Sequence, residues 1–129
     1  MKKIILLLGI VCIIGSSALA VQSSGSSDNS TKIFTYSTNG VYTISTTNNY
    51  VTVIRFSKDE KIKNITLGDS THWTATPSPQ DSAVSYVLLQ PQQGATQTNM
   101  IVQTQSHLYN FMVQNQVSGS GVVSYSFEK

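Results

Sequence analysis

From residue 32 onward the dominant period of apolar and polar positions is two. Lys32-Ile33-Phe34-Thr35-Tyr36 alternates, and Ser37 to Gly40 carries an Asn-Gly turn. Val41-Tyr42-Thr43-Ile44-Ser45 follows as a strand, then Thr47-Asn48-Asn49 as a turn, then Tyr50 to Phe56 as a third strand. These runs are rich in Val, Ile, Thr, Tyr and Phe and bounded by Asn, Gly and Ser, the composition that suits a pleated, half-buried surface. Further strands are predicted over Ile62–Leu67, Trp73–Thr76, Ala83–Leu89, Met100–Thr104, Leu108–Val113 and Val122–Phe127. Between them stand Gly68-Asp69, Pro77, Pro79, Pro91, Gln105-Ser106-His107 and Ser118-Gly119-Ser120-Gly121. Lys58-Asp59-Glu60-Lys61 concentrates charge and reads most simply as a solvated hairpin connection. No segment shows a helical stripe. Eight or nine short strands, spaced by about 8–12 residues, predict an all-β fold, an antiparallel β-sandwich.

The N-terminus has a different pattern. Met1-Lys2-Lys3 is a charged start, Ile4 to Ile14 is an apolar run broken by Gly9, and Ala18-Leu19-Ala20 supplies small residues before a cut. That layout predicts a secretory signal peptide over residues 1–20, since a membrane span needs about 20 apolar residues. Cys12 is then discarded with it as one more apolar signal residue. The exported chain would have no cysteine and no disulfide, and core burial alone would hold it. Residues 21–31 are almost wholly Ser, Gly, Asn, Asp and Gln and read as a flexible leader, leaving 32–129 as a single β-domain.

Charge changes the picture once the signal is set aside. The full chain has 8 Lys+Arg and 6 Asp+Glu, but two of the cations are Lys2 and Lys3, so the exported part is neutral. A nucleic-acid grip needs a surplus of cations, so no nucleic-acid partner is expected. Near-neutrality favours association over mutual repulsion.

Candidate chemistry is sparse. Asp69-Ser70-Thr71-His72 holds acid, nucleophile and base types, but in a β-rich chain they fan out along one turn, whereas a triad is assembled from separated segments. His72 and His107 are the only histidines, too few for a structural zinc site, so no metal or cofactor is expected. Trp73 reads as a core anchor; the competing reading makes it, with Tyr36, Tyr42, Tyr50, Tyr86 and Tyr109, a stacking face of an exported glycan-binding or other envelope-ligand module.

The order of motifs is more specific than any one of them. Val41-Tyr42 with Ile44, Tyr50 to Phe56, and Glu60-Lys61-Ile62 lead into Leu67-Gly68-Asp69-Ser70-Thr71-His72-Trp73. Leu88-Leu89-Gln90-Pro91, Thr98-Asn99-Met100-Ile101-Val102-Gln103-Thr104 and His107 to Val113 follow. This series, from about Ile33 to Phe127, resembles the N-terminal domain of the TrbG/CagX family, components of type IV secretion and conjugation machines. Gln90 stands where the family tends to have Lys, and Lys58-Asp59 near its Gly before Glu60. The resemblance implies a non-enzymatic periplasmic β-sandwich in the envelope-spanning core of a secretion channel. It also implies three protein partners: a TrbI-type component, further copies of the same chain, and a small lipoprotein, whose usual contact lies on a second domain outside the matched motifs. Within the motifs Gly68 permits a tight turn, Asp69 caps it, and Trp73 pins it to the core. Thr98-Asn99 look like turn residues launching a strand, and Tyr109 on the aromatic strand completes the structural and interaction candidates.

Overall fold

The computed structural model describes residues 31–116 and 123–128. They form nine strands and no helix: β1 (Thr31–Thr35), β2 (Val41–Thr47), β3 (Thr52–Arg55), β4 (Ile62–Leu67), β5 (Trp73–Pro77), β6 (Tyr86–Pro91), β7 (Gln97–Thr104), β8 (Leu108–Gln116) and β9 (Ser124–Glu128). Two sheets share one core. Sheet A has the order β1-β9-β3-β6-β5 and sheet B the order β2-β8-β7-β4. The fold is an all-β sandwich, as the period of two predicts.

The sheets are mixed where an antiparallel arrangement was expected. β1 with β9, β2 with β8 and β3 with β9 run parallel, and the other four pairings are antiparallel. The cause is the path of the chain. β1 to β4 alternate between the sheets, so each finds neighbours from the C-terminal half instead of from an adjacent hairpin. Parallel pairing needs such a long crossover, and hairpin logic applies only to β5–β6 and β7–β8. The Asn39-Gly40 turn therefore joins two sheets, closed by the Gly40 N–H donating to the Ser37 carbonyl at 3.0 Å.

Alternation decides burial. Ile54, Val87, Leu89, Tyr125 and Phe127 of sheet A face Tyr42, Ile44, Met100, Val102, Tyr109, Phe111 and Val113 of sheet B, all buried. Rings fill one end of this core: Phe127 lies 4.8 Å from both Tyr42 and Tyr109, and Phe56 4.9 Å from Tyr109. Trp73, 1% exposed, occupies a further core position at the start of β5.

Several boundaries move. β7 begins at Gln97 instead of Met100, so Thr98 and Asn99 are strand residues paired with Val113 and Met112, not turn residues. Paired cross-strand neighbours outweigh the turn preference of Asn at that position. β6 starts at Tyr86 and ends on Pro91, because Ala83 and Val84 form a bend before it and Ser85 stands between bend and strand. Thr31, placed in the leader from sequence, opens β1 opposite Ser124; the rest of the leader and the signal segment lie outside the described residues.

Candidate functional site

The motif Gly68-Asp69 to Trp73 forms the link from β4 to β5, between the two sheets. The Gly68 N–H donates to the Asn99 carbonyl at 2.9 Å. A Cβ at Gly68 would stand 2.4 Å from Asn99 Oδ1 and 2.6 Å from Thr98 Oγ1, so close approach to β7 is what requires glycine here. Asp69 Oδ1 accepts the N–H groups of Thr71 and His72, each at 3.1 Å, and Oδ2 accepts His72 Nδ1–H at 2.9 Å. The His72 bond, helped by the two backbone donors, holds the Asp69 carboxyl below its ordinary value. Five of the predicted positions, Gly68, Asp69, Trp73, Thr98 and Asn99, are thus gathered at the β4–β5 link and the start of β7. Tyr109 lies apart from them, in the aromatic end of the core.

A second polar cluster surrounds Tyr109, and sequence reasoning missed its centre. Glu60 is 4% exposed, not part of a solvated hairpin. β3 and β4 lie in different sheets, so the segment joining them crosses the rim of the core and turns Glu60 inward while Lys58 and Asp59 stay exposed. The Thr104 hydroxyl donates to Glu60 Oε2, and His107 Nδ1–H donates to Oε1. Thr104 Oγ1 in turn accepts the His107 N–H at 2.9 Å and the Ser106 N–H at 3.3 Å. The His107 ring lies 4.0 Å from Tyr36 and 6.1 Å from Tyr109. Burial, together with the charge and hydrogen bonding of Glu60, pushes the Tyr109 phenol well above its usual range. The available sequence signal was the pairing of a lone Glu in the crossing with a His in the β7–β8 hairpin, which becomes readable only once the two are known to meet.

The two clusters differ in depth: Glu60 and Thr104 are buried, whereas the side chains of His72 and Asp69 are 42% and 34% exposed. Ser70 is exposed and no hydrogen bond joins it to His72 among the described residues, so Asp69 and His72 stand as a capping pair without a nucleophile. Among the same residues no group of three or more His, Cys, Asp or Glu comes together to hold a metal. The proposed aromatic stacking face is not assembled either: Trp73, Tyr42 and Tyr109 are buried, and Tyr50 alone of the six aromatics is more than half exposed. No described helix is long and apolar enough to cross a membrane.

What the protein presents outward is sheet. β1 and β5 are the edges of sheet A, β2 and β4 those of sheet B. Each edge offers unpaired backbone groups to a neighbour, and β5 ends on Pro77, which has no N–H to offer. No curated protein matches this chain. One family model, described as CagX, conjugal transfer protein, matches residues 29–128, which takes in every strand of both sheets, and on that match the chain belongs to the CagX family of conjugal transfer proteins.

Proposed function

We propose that this chain is a non-enzymatic assembly subunit of a type IV secretion or conjugation core complex in the cell envelope. It works in the periplasm through contacts with further copies of itself and with a TrbI-type partner. Residues 1–20 act as the export signal, 21–31 as a leader, and 32–129 as the assembling domain. The observation that carries this reading is membership of the conjugal transfer family across all nine strands. Two features support it. The polar clusters brace connections between sheets instead of opening onto a reaction cleft. The four sheet edges and a partly apolar exterior offer surface for neighbours.

Crosslinking followed by mass spectrometry of the tagged protein in its own envelope tests the reading. Links to a second copy and to a TrbI-type component are expected. A protein recovered only as free monomer, or linked only to glycan-bearing and unrelated envelope proteins, overturns it.

A further inference from the structure

The two outer faces of the sandwich differ in kind. On sheet B four outward register rows each carry an amide side chain: Asn110 beside Val41 and Ile101, Asn99 beside Thr43 and Met112, Gln114 and Gln97 beside Ser45, Gln103 beside Leu108. On sheet A the two central rows carry none. One runs Ile33, Ser126, Arg55, Tyr86, and the other Thr31, Ser124, Val53, Leu88, Thr76. There Val53, Arg55, Val84, Tyr86 and Leu88 line a groove of about 390 Å³, and the flanking Ile33 is 50% exposed. Serines of β9 keep the floor low beside it.

Arg55 is the single charge in this groove. Its Nη1–H donates to Ser124 Oγ at 2.7 Å, which draws the guanidinium along the sheet surface. Among the described residues no carboxylate pairs with it, so most of its five N–H donors face outward. An apolar trough with one unmatched guanidinium selects an apolar ligand that brings a carboxylate.

Backbone chemistry selects the shape of that ligand. Sheet A spends its own N–H and C=O groups within the sheet, so an extended segment lying on its face would have its backbone groups pressed against side chains with no partners. A helix carries its hydrogen bonds internally and can lay an apolar stripe on a sheet face. We propose that the outer face of sheet A is a docking surface for an amphipathic helix of a partner protein, with Val53, Val84, Tyr86 and Leu88 receiving its apolar stripe and Arg55 pairing with an Asp or Glu beside that stripe.

This inference rests on the assembly reading and adds the site and the partner's chemistry. A photoreactive benzoylphenylalanine is placed at Val84, which is 45% exposed, in the full-length chain in its own envelope. The expected crosslink is to a different envelope protein, in a segment with apolar residues at i, i+3 or i+4, and i+7 and an adjacent carboxylate. Arg55→Glu is expected to cut the yield about tenfold, and exchanging the partner's carboxylate for Arg to restore it. Thr43→Glu on the other sheet leaves the yield unchanged. Crosslinks to a second copy, to lipid, or to an extended or proline-rich segment overturn the proposal. So does the absence of a crosslink in envelopes where the chain still co-purifies with the secretion complex, an outcome that leaves the assembly reading standing. Failure to co-purify overturns the assembly reading, and the docking surface with it.

Discussion

Replacing Glu60 by Ala tests whether the β3–β4 crossing is a structural joint. The carboxylate is 4% exposed and accepts from the Thr104 hydroxyl and from His107 Nδ1. Hydrogen bonds to a charged group contribute about 1.5–3 kcal/mol each, and breaking a buried ionic pair costs about 3–5 kcal/mol. Two terms reduce the figure here. The His107 side chain is 38% exposed and regains water when its partner goes, and the mutant no longer has to desolvate a carboxylate. A net loss of about 3 kcal/mol is expected, concentrated on Thr104, which stays buried with one acceptor fewer. Glu60→Gln keeps the shape and one acceptor oxygen, and is expected to cost about 1–2 kcal/mol. Urea unfolding followed by tryptophan fluorescence reads the difference; with a slope of about 1–3 kcal/mol per molar, Glu60→Ala moves the midpoint down by about 1–3 M. Lys58→Ala, in the same segment but exposed, serves as control and is expected to stay within about 0.5 kcal/mol of the parent. If Glu60→Ala also stays within about 0.5 kcal/mol, the crossing is an ordinary solvated turn and the reasoning fails. A second readout is independent of stability: without the Glu60 charge the Tyr109 phenol should titrate closer to its ordinary value, measured by tyrosinate absorbance on Glu60→Gln.

Trp73→Ala empties a fully buried site and is expected to cost about 3–5 kcal/mol; because Trp73 Nε1 has no hydrogen-bond partner among the described residues, Trp73→Phe should cost markedly less, and since Trp73 is the single tryptophan both are read by urea unfolding followed by circular dichroism. Gly68→Ala forces Thr98 or Asn99 to give way and is expected to lower stability by about 1–3 kcal/mol, with Thr98→Ala partly restoring it as a double-mutant cycle would show. The Asp69 carboxyl is held below its ordinary value in the folded chain, first of all by the His72 bond, so its contribution is present at neutral pH and lost as pH falls through the acid, carboxylate range. Asp69→Asn should flatten the acid side of a stability–pH curve, and an unchanged acid limb would show that the His72 bond does not stabilise the fold.

Much of the strand pattern follows from local chemistry. The alternation of Val41 to Ser45 and of Leu108 to Val113 requires a half-buried pleat whatever the strands pair with, and β4 spans the same residues, Ile62–Leu67, that its pattern marks. Trp73 reads as a core residue because burying a large ring is favourable in almost any sandwich. Asn49, with φ at 70°, takes the left-handed conformation that suits an Asn in the turn after β2.

What the sequence by itself determined, then, is the set of strands, the face each one buries, and the ordered motifs that mark the conjugal transfer family. Periodicity is a property of the single strand and survives in one dimension. Pairing is not: parallel β1–β9 and β2–β8 join residues that lie more than 60 positions apart, and no local pattern states which edge accepts which strand. Only the tertiary structure decided that Thr98 and Asn99 lie within β7 against Gly68, and that Lys58 to Lys61 crosses between sheets. It also decided that Glu60 meets His107. A carboxylate prefers water in any short segment and is drawn inside only when donors from a distant hairpin replace that water, so its burial is written in the meeting of β3–β4 with β7–β8.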